Sequence, residues 1–481
     1  MDDKNTNSYF FTDLRANDPR LVRFLGFSRI LELSKKQSYL LASPLVEKKY
    51  EYQYKNAALL IVPQEKLVFI NFGSDGNDEF SDYVEEYIED IGYMSKKYEY
   101  LNFIGRPKKW VPEIIHMINI NDLEHPQSIL HLFAEQSLDK SKKRISELVS
   151  SLVIGSINDI SKIEESLPTS PLDIIKQKII LFDTDQTKFI YDSMDEQNTI
   201  RIQGLSGTGK TELLLHKLKE LYTNERDSKI LLTCHNKILS DKLRSRIPSF
   251  FNFMKVESQI DWENRLKCVH AWGSSAIPDS GAYRFICHHY QIPFETFSYR
   301  TTFDQVCKNA ISHIGSSSIQ AQPFDYILID ESQDFPDSFF ELCAQVTRKK
   351  LFIAGDIFQS IFDNPEKQIS KADFLLNKCY RTDPKTLMFG HAFGMKLFEE
   401  KKLRWLADSE WKACGYNIEK KPLDKSFEMV YELSREPLRR FEDLPNDENL
   451  TGIFLEYCAF ELDSLNKKII ELINNRPLAK V

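Results

Sequence analysis

The stretch Gly204-Leu-Ser-Gly-Thr-Gly-Lys210-Thr211 constrains this chain more than any other. It has the spacing G-x4-G-K-T. It stands between an apolar strand run, Thr199–Gln203, and a helical run, Glu212–Leu221. That context is the one in which glycines let backbone N–H groups approach phosphate oxygens at the start of a helix, whose dipole favours anions. The pattern assigns phosphate contacts to Gly204, Ser206, Gly207, Thr208, Gly209, Lys210 and Thr211. Lys210 would reach the β- and γ-phosphates, and the Thr211 hydroxyl would hold Mg²⁺. A glycine-rich turn without a ligand is the bland alternative. What weighs against it is the ordered series of motifs that follows.

The run Phe324-Asp-Tyr-Ile-Leu-Ile-Asp330-Glu331-Ser-Gln-Asp334 is an apolar strand ending in adjacent carboxylates. Continuous apolar runs of this kind belong to strands buried on both faces of a parallel sheet. Ligands in such folds lie beyond the carboxyl ends of the strands. Asp330 is therefore a candidate for Mg²⁺, and Glu331 for orienting and deprotonating an attacking water. Two acids after a strand are usually only a polar loop; the upstream glycine loop changes that reading. A third strand, Lys350–Gly355, leads to Gln359, placed to bond the γ-phosphate and report its loss. A fourth segment, Leu375–Thr382, carries Tyr380, suited to stack on a base, and Arg381, suited to neutralise transition-state charge.

The 481-residue chain is too long for one ordinary core, so two to four domains are expected. Its formal charge of −8 gives no global basic footprint, so a nucleic-acid site would be a local groove. No run is long enough to span a bilayer, and the polar start lacks an apolar signal core. Eight scattered cysteines fit reduced thiols in the cytoplasm. Cys287-His288-His289 has no Cys-x-x-Cys nearby and reads as no zinc site.

Taken in order, these motifs resemble those of superfamily 1 helicases of the UvrD/Rep type. Asp330-Glu-Ser-Gln-Asp334 resembles the family's Asp-Glu-x-Gln-Asp box, and Gly355-Asp-Ile-Phe-Gln-Ser360 its Gly-Asp-x-x-Gln-Ser motif. Cys379-Tyr-Arg-Thr382 resembles the Tyr-Arg motif. Phe182-Asp-Thr-Asp-Gln186 sits where the family has an adenine-reading glutamine, so the resemblance gives Gln186 that role. Leu232–Lys237 and Val269–Trp272 resemble segments that touch single-stranded DNA, which implies contacts from Thr233, His235, Asn236 and His270. The match covers roughly residues 180 to 390. After Arg381 no counterpart of the Lys-Gly-Leu-Glu segment or of the closing Thr-Arg motif follows, and Phe362 is not followed by Arg-Gly-Ala.

The expected fold is α/β: a RecA-like P-loop NTPase domain with a parallel sheet and a helical insertion, a partial second RecA-like domain, and an N-terminal α/β module. The expected boundaries are 1–165, 166–390 with the insertion at about 240–320, and 391–481. The module should contain two strands, Asn56–Pro63 and Glu65–Phe72, and an acidic amphipathic helix from Phe80. Its hairpin faintly resembles restriction-type nucleases, but Ile70-Asn-Phe72 lacks the carboxylate they need. A structural or partner-binding module is the expected reading. Gly105–Trp110 is expected as a solvated basic loop, Ser137–Pro168 as helical turns and polar linker, and Trp272, Trp411 and Tyr416 as packing residues. The expected activity is that of an ATP- and Mg²⁺-dependent helicase-like NTPase on single-stranded or partly duplex nucleic acid, DNA foremost, impaired in unwinding by the missing C-terminal motifs. The alternatives are a non-translocating ATP-gated binding module and a truncated product of a full helicase gene.

Overall fold

The computed structural model describes residues 9–47, 51–73, 77–163, 177–192, 194, 197–298, 301–357, 372–379, 382, 384–401, 403, 405–422 and 429–435. The N-terminal part begins with β1 (Phe10–Thr12) and α1 (Pro19–Leu33). Asp18 accepts the Arg20 N–H to cap α1, and Pro19 takes its first turn, where a missing N–H costs nothing. Strands β2 (Ser38–Leu41), β3 (Ala57–Ile61) and β4 (Leu67–Asn71) follow, then α2 (Asn77–Lys97), α3 (Pro107–Ile114), β5 (Ile115–Asn119), α4 (Ser128–Glu135) and α5 (Lys140–Ile154). The sheet order is β1-β2-β3-β4-β5; β2–β3 and β3–β4 are antiparallel and the outer pairs parallel. β3 and β4 are buried along their whole length because helices cover both faces. Leu21, Phe24 and Leu31 of α1, with Phe133 of α4, pack under Leu60, Val68 and Ile70. Tyr83 and Tyr87 of α2 and Leu148 of α5 pack over Tyr39, Leu59 and Phe69.

One expectation is corrected in this module and another is refined. The basic stretch after Gly105 is a helix rather than a solvated loop. Pro107 fixes the φ of its first turn, and Trp110 is buried at 1% exposure. The stretch Ser137–Pro168, expected as helical turns and polar linker, contains α5, whose residues from Ser146 to Ile154 are all buried. Its serines read as polar surface in sequence, yet each hydroxyl finds a carbonyl: Ser146 donates to Glu65, Ser150 to Ser146 and Ser151 to Leu148, at 2.6–2.8 Å. Satisfied hydroxyls can be buried at little cost.

The next elements are α6 (Thr184–Tyr191), β6 (Thr199–Gly204), α7 (Lys210–Asn224), β7 (Ile230–Cys234), α8 (Lys237–Phe253) and β8 (Leu266–His270). They are followed by α9 (Ala282–Tyr290), α10 (Phe303–Gly315), β9 (Phe324–Ile329), α11 (Asp337–Gln345), β10 (Thr347–Asp356) and β11 (Phe374–Leu376). The six strands form one parallel sheet in the order β11-β6-β10-β9-β7-β8. The fold class is thus α/β, and the parallel sheet is consistent with a RecA-like domain. α8 is the crossover from β7 to β8, so the helices that stand apart from that alternation are α9 and α10. The boundary expected near residue 165 lies outside the described residues.

The module and the parallel sheet share one core. A single apolar cluster runs from Tyr39, Phe69 and Trp110 to Leu213, Leu218 and Tyr222 of α7. The Tyr39 hydroxyl donates to the Phe182 carbonyl at 2.5 Å, and Lys219 Nζ to the Val46 carbonyl at 3.2 Å. Gly155 ends α5 at φ 85°, and a Cβ there would meet the Tyr191 hydroxyl at 2.0 Å. Only glycine satisfies both the left-handed turn and the close approach.

Beyond β11 come α12 (Pro384–Gly394), α13 (Asp408–Ala413) and an antiparallel pair, β12 (Asn417–Pro422) and β13 (Met429–Ser434). Trp411 and Tyr416 are core residues there, as expected, and pack with Met395, Leu406 and Leu205 of the glycine loop. Residues 436–481 of the expected partial second RecA-like domain lie outside the described residues. Among the described residues no helix is long and apolar enough to cross a membrane.

Candidate active site

The register of the parallel sheet assembles the site. Asp356 at the end of β10 pairs with Gly204 at the end of β6, and Ile353 pairs with Ile329, one residue before Asp330. Three strand ends therefore meet at the glycine loop. Within that loop Gly207 and Gly209 have φ of 81° and 89°, which side-chain-bearing residues rarely adopt. Gly209 is the N-cap of α7 and brings no side-chain partner, so the first-turn N–H groups of a 15-residue helix are presented at the loop. Lys210 Nζ donates to the Gly204 and Leu205 carbonyls at 2.9 Å each and lies 3.8 Å from Asp356 Oδ2. The buried Thr208 hydroxyl donates to the Leu205 carbonyl at 2.8 Å and so braces the loop. Ser206 is exposed, and its carbonyl accepts the Cys379 thiol at 3.4 Å.

Thr211 Oγ1 donates to Asp330 Oδ2 at 2.8 Å. Asp330 is 1% exposed, and its N–H is held by the Thr233 carbonyl at 2.9 Å. Burial, and then the neighbouring Glu331, push its carboxyl up to about 6, against which the Thr211 hydroxyl and Lys210 act only in part. An under-compensated buried carboxylate beside a threonine hydroxyl is a donor set that suits a hard divalent cation. Glu331 sits in the left-handed region at φ 53° and ψ 52°, a strained backbone for glutamate of the kind found at functional sites. Gln333 fixes its carboxylate: Nε2 donates to Glu331 Oε2 at 2.7 Å, while Oε1 accepts the Asp356 N–H at 2.9 Å.

The raised carboxyl has a consequence for stability. The folded state holds the Asp330 proton more tightly than the unfolded chain does. The contribution of Asp330 to stability is therefore fully present below about pH 4 and is lost as pH rises through 6, by about 3 kcal/mol at most. Asp330→Asn is expected to melt higher than the native chain at pH 7–8, with the gap closing towards pH 4. Thermal denaturation of both proteins across this range, without divalent cations, checks it; a gap independent of pH would contradict it.

Other candidates are placed differently. Gln186 is buried in the first turn of α6, and its Oε1 accepts the Asp183 N–H at 3.0 Å in a reciprocal cap. Thr233 is buried within β7, and the Asn236 side chain caps α8. The Thr233 side chain is buried, whereas Asn236 is exposed. Thr233 lies in a central strand, and capping consumes the Asn236 oxygen. His235 is exposed at the end of β7. His270 ends β8, and its Nε2 accepts the Gly273 N–H at 3.1 Å. Burial, and then Lys237, hold its pKa below the usual histidine value, which favours the neutral ring. Trp272 packs on Phe303 and donates to the Glu295 carbonyl at 3.0 Å. Gln359, Tyr380 and Arg381 lie outside the described residues. The two residues that sequence reasoning missed are Gln333 and Asp356. Both stand inside quoted motifs, but their value is a matter of sheet register, which spacing does not reveal.

The family model described as an AAA domain matches residues 186–365, less than half of the chain. That segment is a P-loop NTPase domain and takes in the whole of β6 to β10. A comparison with curated proteins returned no match.

Proposed function

We propose that this chain binds Mg-ATP at the glycine loop, hydrolyses it, and couples the cycle to single-stranded nucleic acid, DNA foremost, as a helicase-like motor. The observation that carries the reading is the Thr211–Asp330 hydrogen bond at the mouth of the loop, with Glu331 as the next residue. Mg²⁺ would be held by Thr211 and, through water, by Asp330, and would neutralise charge on the β- and γ-phosphates. Lys210 and the α7 N-terminus bind the phosphates, and their N–H groups aim at charge already present. Glu331 takes the proton of the attacking water, its orientation fixed by Gln333. Gln359 and Arg381 are proposed to face the γ-phosphate, and Gln186 with Tyr380 the adenine. His235 and His270, at the ends of neighbouring strands, support a nucleic-acid path along the same sheet edge. The proposed layout is an N-terminal module to about residue 165, the motor domain to about 390 and a further unit beyond, working in the cytoplasm.

Lys210→Ala is expected to weaken Mg-ATP binding at least 100-fold and to abolish turnover. Isothermal titration, and phosphate release with and without single-stranded DNA or RNA, measure both. Unchanged affinity would remove the assignment of the loop. Tight binding with no turnover under any nucleic acid would instead favour an ATP-gated binding module.

A further inference from the structure

Gln203, the residue just before the glycine loop, is 2% exposed. Its Oε1 is buried and has no hydrogen-bond partner. A buried carbonyl oxygen without a donor has lost its bond to water and gained nothing in return, so it calls for an account. The side chain lies on the face of the sheet away from α7. Its neighbour Ile202, with Ile200, packs with Leu213 and Leu218 of that helix, and successive residues of a strand point to opposite faces.

Gln203 pairs with Gly355 of β10. A Cβ at residue 355 would meet Ser332 Oγ at 2.0 Å, Gln203 Oε1 at 3.1 Å and Gln203 Nε2 at 3.2 Å. The missing side chain of Gly355 therefore leaves a space bordered by a carboxamide and a hydroxyl. Ser332 is buried and directly follows Glu331. Among the described residues its hydroxyl has no hydrogen-bond partner. An unused acceptor on the strand that opens the loop thus stands beside an unused donor on the turn that carries Glu331.

Both sides of this junction have reason to move. Glu331 sits at φ 53°, and the bonds that close its turn are long: the Asp334 N–H to the Glu331 carbonyl at 3.1 Å and the Phe335 N–H to the Ser332 carbonyl at 3.2 Å. On the loop side, Lys210 Nζ donates to the Gly204 and Leu205 carbonyls at 2.9 Å each. A phosphate is a stronger acceptor for that ammonium than a neutral carbonyl. As Lys210 turns to the phosphate, the Gly204 carbonyl loses its donor and the end of β6 is released to shift towards Ser332.

We propose that Gln203 is a positioning residue for ATP hydrolysis: with nucleotide in the loop, its Oε1 accepts a hydrogen bond from the Ser332 hydroxyl, and that bond fixes the turn that aims Glu331 at water. The proposal rests on the reading of the glycine loop as an ATP site. Gln333 orients the Glu331 carboxylate; Gln203 would hold the backbone beneath it.

The test compares the full native chain with Gln203→Met, Ser332→Ala and the double variant. Methionine keeps the length of glutamine and lacks its carbonyl oxygen. Without nucleotide, Gln203→Met should melt no lower than the native chain, because no bond of Oε1 is lost. Mg-ATP affinity should stay within about twofold in every variant. The turnover number should fall about tenfold in each single variant, as for a slightly misplaced reacting group, and no further in the double variant, because both changes remove one bond. Amide exchange gives a reading that needs no turnover. Mg-ATP should slow exchange at Asp334 and Phe335 about tenfold in the native chain and leave it unslowed in Gln203→Met. If Gln203→Met does not fold, Ser332→Ala carries both measurements. Native turnover in the single variants, losses that multiply in the double variant, or protection that survives Gln203→Met overturns this proposal and leaves the ATP site standing. A native chain that binds Mg-ATP without turnover is judged by amide exchange alone. A native chain that binds no Mg-ATP overturns the reading of the loop, and this proposal with it.

Discussion

Glu331→Gln is expected to lower the turnover number for ATP by about 10²–10⁴, the range over which a positioned general base acts, with little change in Mg-ATP affinity. The substitution keeps the side-chain volume and keeps an acceptor for the Gln333 amide, whose 2.7 Å bond now fixes the carboxylate. It removes only the lone pair that takes a proton from water. The left-handed backbone at residue 331 is unchanged, so folding should be preserved and the melting temperature should move by no more than a few degrees. Single-turnover kinetics with radiolabelled ATP separates the chemical step from binding. A variant that binds poorly would show that Glu331 holds the metal rather than the water. A variant that turns over at the native rate would remove Glu331 from the chemistry.

Gln333 provides a control for that experiment. Its two bonds reach from Glu331 on one strand end to the Asp356 backbone on the neighbouring one. A glutamine that only orients the base acts through the turnover number and leaves nucleotide affinity alone. The pattern to look for in Gln333→Ala is thus a smaller version of the Glu331→Gln result.

The parallel sheet was legible because its strands announce themselves. Phe324–Ile329 and Leu351–Ala354 are largely apolar runs that break into Asp or Gly, and such runs suit strands buried in a parallel sheet. Which strand lies beside which was not legible. The order β11-β6-β10-β9-β7-β8 is a tertiary fact, and it alone puts Asp356 opposite Gly204 and within 3.8 Å of the Lys210 ammonium. The module misled for a different reason. In α5, serines at 146, 150 and 151 look like a solvent face, yet they spend their hydroxyls on carbonyls and vanish into the core. In Gly105–Trp110, the lysines drew attention to the solvent side of a helix whose tryptophan faces inward. Gln186 shows the opposite ambiguity. Asp183-x-x-Gln186 is a capping pattern and an adenine-reading pattern at once, and the reciprocal cap occupies one of its amide's two ends.

Trp110→Ala is expected to destabilise the whole chain, not the N-terminal module alone, by about 3–5 kcal/mol, the usual cost of emptying a buried tryptophan site. Trp110 lies in the same apolar cluster as Leu213 and Leu218 of α7, the helix that begins with Lys210. A cavity at one end of a continuous core weakens the unit that shares it, because close-packed side chains relax only in part. Two buried hydrogen bonds add to that core across the junction, Tyr39–Phe182 and Lys219–Val46. The module and the parallel sheet should therefore unfold in one calorimetric transition, and Trp110→Ala should move it as a whole. Nucleotide supplies the discriminating measurement. A ligand of the folded glycine loop stabilises whatever unfolds with it. Mg-ATP should then raise amide protection in β3 and β4 of the module as well as in β6 of the sheet, in the native chain and in the variant. Two separated transitions, with nucleotide shifting only one, would make the module an independent domain.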